Sequence, residues 1–244
     1  MAYFFFGGYE LKETALLADM LREMNAAVVF DIGANLGGHT LAMVAYAQSI
    51  HAFEPYKPLA DSIEKHIKIN QIENVQIHNF GLGDANETSN YYLDQESNNS
   101  GTGSFISGHN NAPPIAELQI KKGDDWSDGK RVDLIKIDIE GYEYFALKGF
   151  FKTLQQNKPV VLMEVTETSA SFFESNGGLN SVVAFDFDLY EVCNPNYHLG
   201  LFQTARYSLR KIDQIVPRNA SFNILIMPKE RSDILSKTNC KITS

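Results

Sequence analysis

Five short apolar runs recur along the chain, at 27–31, 50–53, 75–80, 132–139 and 159–165, with helical spacing of apolar residues between most of them. Runs of this length rich in Val, Ile and Phe read as buried strands, and the stretches between them as helices. No other feature constrains the fold as much. The alternation predicts βαβ units around a mostly parallel central sheet with helices on both faces, an α/β architecture. Ligands of such sheets bind beyond the carboxyl ends of the strands. The polar residues there are Asp31, Glu54, the 81–84 turn, Asp138 to Glu140, and Glu164.

Helical patterns cover about residues 10–24, 40–45, 58–70 and 142–156, and further strand candidates lie at 190–192 and 222–227. A length of 244 residues without an evident linker or repeat predicts one domain, with residues 1–25 as a helical N-terminal extension. Residues 94–114 are rich in Asn, Ser and Gly, lack apolar periodicity and read as a long loop, expected to lie over the site as a lid. Within it, Phe105 is an apolar residue in the run Gly101-Thr102-Gly103-Ser104-Phe105.

Lys and Arg number 21 against 30 Asp and Glu, a formal charge of −9, which argues against a protein that grips phosphate backbones. No nucleic-acid partner is expected. Cys193 and Cys240 are too few for a disulfide framework or a zinc site. The aromatic start, Tyr3 to Phe6, lacks the charge and length of a signal peptide, and its expected use is packing at the edge of the domain. A soluble, cytoplasmic protein with no membrane partner is expected; oligomeric state is open.

Asp31-Ile32-Gly33-Ala34-Asn35-Leu36-Gly37-Gly38-His39-Thr40 joins a strand to a helix. Glycines there allow a tight turn and close approach of a ligand to the backbone, and the helix start offers unpaired N–H groups. Glu54 follows 23 residues after Asp31, at the end of the next strand, where a carboxylate accepts from ribose hydroxyls. Together they indicate an adenosine-type ligand. A nicotinamide dinucleotide would call for G-x-G-x-x-G, whereas Asn35 stands at the second glycine and Asp31 would repel a pyrophosphate. S-adenosyl-L-methionine has adenosine, an amino acid and no phosphate, and fits better.

These motifs resemble those of the FkbM-type methyltransferases: Asp31 to Gly38, Ala52-Phe53-Glu54-Pro55, Gly81-Leu82-Gly83-Asp84, Asp133 to Glu143 with Lys136, Asp138 and Glu140, Met163-Glu164-Val165, and Asn223 to Glu230. The resemblance runs in order from about residue 27 to 230. It implies the class I methyltransferase Rossmann-like fold and O-methylation dependent on S-adenosyl-L-methionine, with a small-molecule or glycan acceptor that has a free hydroxyl. By position it implies that the turn with Gly33, Asn35 and Gly37 holds the methionine part, with Asp31 facing its amino group. Glu54 would bind the ribose, and Gly83 and Asp84 would frame the adenine.

Asp138 and Glu140 fall at the fourth strand's end, where alternation sends them to one side, one to cap the next helix and the other to line the pocket. Glu164 can join them. Such carboxylates can stabilise a sulfonium, orient a hydroxyl, take its proton or bind a hard cation; the reading adopted has no metal. Candidate bases are Asp138, Glu140, Glu164, His39 and His109. The alternative is a non-catalytic cofactor-binding module of the same fold.

Overall fold

A computed structural model describes residues 10–93, 103–107, 113–194, 207–238 and 240–243. The aromatic start and, in the expected loop, residues 94–102 and 108–112 with His109 lie outside the described residues. In chain order the elements are α1 (Leu11–Glu23), β1 (Val28–Ile32), α2 (Gly38–Met43), β2 (Ser49–Phe53), α3 (Lys57–Ile69), β3 (Val75–His78), β4 (Gly81–Gly83), β5 (Glu87–Tyr92), β6 (Pro114–Lys122), α4 (Gly123–Ser127), β7 (Leu134–Ile137), α5 (Glu143–Gly149), α6 (Phe151–Asn157), β8 (Val160–Val165), α7 (Glu167–Ser175), β9 (Phe187–Cys193), β10 (Ser208–Ile212), β11 (Phe222–Pro228), α8 (Asp233–Lys237) and β12 (Lys241–Thr243).

The large sheet has the order β12-β10-β9-β11-β8-β7-β1-β2-β3. Its five predicted strands, β3, β2, β1, β7 and β8, are parallel neighbours, and β11 enters antiparallel between β8 and β9. The order reverses beside β1: the chain goes from β1 outward to β3 and then returns on the other side at β7. That switch point opens a crevice at the strand ends.

Alternation along β1 and β7 divides their side chains between two cores. Phe30, Ile32, Ile135 and Ile137 join Leu147 of α5, Leu154 of α6 and Phe150 between those helices on one face. Val29 and Leu134 join Leu16, Leu17, Met20 and Leu21 of α1 on the other. Burial of each such side chain stabilises the fold by about 1.5–3 kcal/mol. The predicted extension is thus built into the domain's core. Asn223 Nδ2 also donates to the buried Glu13 carboxylate at 2.7 Å, fixing α1 to β11. Asp31 and Lys136 share the parity of Val29 and Leu134 and face each other in register, so both project toward the α1 side.

The structure adds a second sheet, β4-β6-β5: β4 lies in the predicted 81–84 turn, and β5 and β6 flank the predicted loop, where no strand was expected. The predicted helix over 142–156 is two helices, α5 and α6, meeting at Phe150. Part of the predicted loop is also ordered in place. Ser104 makes a two-way backbone bridge with Tyr92 at 2.8 and 2.9 Å, and its hydroxyl donates to the Glu140 carbonyl at 2.8 Å. No described helix is long and apolar enough to cross a membrane.

Candidate active site

The turn after β1 is shaped by contact with the end of β7. Gly33 has φ +82°, and a Cβ there would lie 1.8 Å from the Asp138 carbonyl oxygen, so only glycine fits. Gly37 has a different reason: a Cβ would press on Ile63 of α3 at 3.2 Å, and Gly37 borders neither cavity described below. Asn35 also has positive φ, and its backbone N–H donates to Glu54 Oε2 at 2.9 Å.

Behind this turn Asp31 is 0% exposed. Thr40 of α2 donates to its Oδ2 at 2.5 Å, and the Lys136 ammonium stands 3.9 Å from its Oδ1. Lys136 is closer to Asp138, at 3.1 Å from Oδ2. Burial works against its charge, but the Asp138 and Asp31 carboxylates outweigh that cost and hold Lys136 firmly protonated. Asp31 therefore sits one layer behind the wall of a cavity of about 390 Å³ that Lys136 and Asp138 line with Gly33, Asn35 and His39. His39 is buried, and its Nε2 lies 2.8 Å from Glu10 Oε2 at the start of α1.

Glu54, at the end of β2, is 3% exposed and accepts from the backbone N–H groups of Asn35 and Tyr56 at 2.9 Å each. Burial pushes its carboxyl up to about 7, against the two N–H donors that favour its charge. It borders a second cavity of about 30 Å³ with Pro55, Tyr91, Phe105 and Ile139. Tyr91 and Phe105 close this cavity, with ring centroids 5.2 Å apart and the Phe105 ring seated over Gly81.

Beyond the turn, Asp138, Glu140 and Glu164 each bring one carboxylate oxygen within 4.8 Å of the others. Strand alternation is not what joins them, because β7 ends at Ile137. Glu140 has φ +53° and Gly141 φ +105°, a sharp turn that swings Glu140 back beside Asp138. The expected capping of the next helix is not made, since the N-cap of α5 is Tyr142 and it makes no side-chain cap. Glu143, fully buried, accepts from the N–H groups of Ile139 and Gly141 at 3.1 and 3.2 Å, leaving Asp138 and Glu140 at the cluster.

The cluster holds protons unevenly. Lys136 overcomes the cost of burial and keeps the Asp138 carboxyl below its usual range. Burial, and then the Asp138 charge, push Glu164 to about 9, so Glu164 holds a proton that it shares with Asp138. Burial and the Asp138 and Glu143 carboxylates raise Glu140 to about 7. Environment alone thus gives three carboxyls of one cluster different protonation.

Gly83 and Asp84 stand apart. Neither borders the two cavities, and Asp84 pairs with Lys148 of α5 at 2.7 Å. The Gly83 carbonyl lies against Gly149, where a Cβ would approach to 1.8 Å. Lys136 and Glu143 stand in the 133–143 motif, but sequence reasoning gave neither of them a role. A lysine inside an otherwise apolar run was a readable signal for the first.

Residues 31–203 match the model of the Methyltransferase FkbM domain. A curated protein named Methyltransferase 1 from Beauveria bassiana is 32% identical in an alignment of 143 positions that covers 50% of this chain and 57% of that protein. The crystal structure of Methyltransferase FkbM from Methylobacillus flagellatus aligns with a TM-score of 0.54 at 15% identity, covering 82% of this chain and 43% of that one. The chain thus spans about half the length of these relatives. The structural likeness confirms the class I methyltransferase fold, with its mostly parallel sheet and helices on both faces. The matched segment contains the turn at Gly33, Glu54 and the carboxylate cluster, and the chain belongs to the FkbM methyltransferase family.

Proposed function

We propose that this protein is an S-adenosyl-L-methionine-dependent O-methyltransferase whose acceptor is a hydroxyl of a sugar, glycan or small metabolite. The observation that carries the oxygen acceptor is Glu140: a carboxylate held near neutrality, beside the Gly33 turn and within the Asp138–Glu164 cluster. An alcohol must lose a proton as it is methylated, and a base that titrates near the working pH takes it best.

The residues present fit the cofactor. Gly33 lets the turn pack against the Asp138 carbonyl while bordering both cavities, and the larger cavity presents one lysine and one aspartate to a zwitterionic end. Glu54 uses one lone pair on each oxygen for a backbone N–H, and the others remain for ribose hydroxyls. The cofactor, when bound, supplies an activated methyl group on a sulfonium. The chain's task is then to align the acceptor oxygen, exclude water and receive the proton. Glu140 receives it, and the protonated Glu164 limits the negative charge that builds up beside Asp138.

The 103–107 segment serves as the lid in this reading. Its placement over Glu54 and against Glu140 supports closure on the cofactor's ribose as well as on the acceptor. A cavity of about 30 Å³ is too small for an adenosine, so Phe105 and Tyr91 must part for the ribose to reach Glu54. The roles expected for Gly83 and Asp84 at the adenine stay part of the proposal, with Asp84 leaving Lys148 to take them up. A labelled-methyl incubation with cell extract, followed by mass spectrometry, tests the activity. A labelled ether product supports it; labelling only at nitrogen or carbon refutes the oxygen acceptor.

A further inference from the structure

The larger cavity is bordered by two opposite, buried charges, and they are already paired. Lys136 is 6% exposed and 3.1 Å from Asp138 Oδ2, with Asp31 at 3.9 Å on its other side. Each β7 residue of its parity faces α1 and α2, so its ammonium is delivered to the same side as the turn and the helix start. A lysine within an apolar strand costs desolvation that a simple packing residue would avoid. Two carboxylates against one ammonium exceed what its neutralisation requires. Asp31 Oδ1, in addition, is buried with no hydrogen-bond donor. The set is therefore short of positive charge at the carboxylates, while Lys136 keeps a cationic face toward the cavity that it borders.

From this arrangement we infer that Lys136 is a specificity-determining residue that receives the α-carboxylate of the cofactor's amino-acid end, while Asp138 receives its α-ammonium. The inference rests on the cofactor reading above and deepens it. A zwitterion inserted between Lys136 and Asp138 exchanges one internal ion pair for two with the ligand, at no change in the net charge of the site. A charge-assisted bond of this kind is the sort that discriminates between ligands alike in shape. Asp31 then acts as a positioning residue: held by Thr40, it keeps Lys136 in place when Asp138 turns to the ligand. This also gives Asp31 a use consistent with its burial, which direct contact with the amino group lacks.

The test compares S-adenosylhomocysteine with its decarboxylated analogue, S-adenosyl-3-thiopropylamine, by calorimetric titration. Both keep the adenosine, thioether and amine, and they differ only in the carboxylate. The wild-type protein is expected to bind the first at least about tenfold more tightly. In Lys136→Met that preference should fall to within about twofold, and in Lys136→Arg it should persist. Equal binding of both ligands by the wild type overturns the inference but leaves the cofactor reading standing. A preference retained in Lys136→Met also overturns it, placing the carboxylate elsewhere. Failure of the wild type to bind either ligand defeats the cofactor reading itself. If Lys136→Met does not fold, wild-type protein carrying ¹³Cε-labelled lysine answers the question. The Lys136 signal should respond differently to S-adenosylhomocysteine, which supplies a carboxylate, and to the amine analogue, which only draws Asp138 away; equal shifts with both would contradict the assignment.

Discussion

The two ends of the site handle buried charge differently. Around the Gly33 turn, Asp31, Asp138 and Lys136 are held by ion pairing and by the Thr40 hydroxyl, and Glu54 by two backbone N–H groups. At the far end, Asp138, Glu140 and Glu164 share one place where Lys136 offsets part of their charge, so protons complete the balance. The first end is built before any ligand arrives and suits recognition. The second has a protonation state that responds to what enters, which suits chemistry that releases a proton. Asp138 belongs to both, and it is where the two are coupled.

The sharpest way to break this comparison is at Glu140. Glu140→Gln should lower turnover by about 10²–10⁴-fold while leaving affinity for S-adenosylhomocysteine unchanged. Equal loss of both would make Glu140 a part of the recognition end. Next in size, Glu54→Ala should weaken that affinity by about 10–100-fold, read by calorimetry, because it removes acceptors for ribose and leaves two buried N–H groups unpaired.

The pH response distinguishes the ends further. Glu140 takes a proton only when ionised, so kcat should rise with pH through about 7 and fall away below it. Glu54 should give cofactor binding a similar dependence, since it is also raised to about 7 and accepts best when charged. Glu54→Gln should flatten the binding profile alone, and a variant that flattened both would show that the ends titrate as one. Phe105→Ala should speed association and dissociation of S-adenosylhomocysteine several-fold, seen in stopped flow, because it opens the cover over Glu54.

The smallest effect is on stability. The folded protein holds a proton on Glu164 well above the range in which the unfolded chain releases it. Stability should therefore decline as pH rises from about 5 toward 9. Glu164→Gln keeps a hydrogen-bond donor without that titration, so its melting temperature should exceed the wild type's at pH 8 by about 2–4 °C for each kcal/mol gained. An unchanged slope with pH would show that the proton resides elsewhere.

The same contrast governs how much could be read from the sequence. The β1–α2–β2 unit is contiguous, and its strand, glycine turn, helix and acid announce themselves in order. The carboxylate cluster was also found, but for an incomplete reason: a left-handed turn at Glu140, rather than strand alternation, brings the groups together. The small sheet was not legible. β4 is Gly-Leu-Gly and reads as a turn, β5 is mostly polar and exposed, and both exist only through pairing with β6, more than thirty residues after β4. The cap of the 139–141 turn went to Glu143 because a side chain two to four residues later reaches those N–H groups, a choice set by the path of the turn.

Calorimetric titration of the protein with S-adenosylhomocysteine tests the central claim most directly, with NAD as the competing ligand. The account predicts one site per chain for S-adenosylhomocysteine, weakened by Glu54→Ala, and no heat with NAD. Binding of NAD with none of S-adenosylhomocysteine would contradict it.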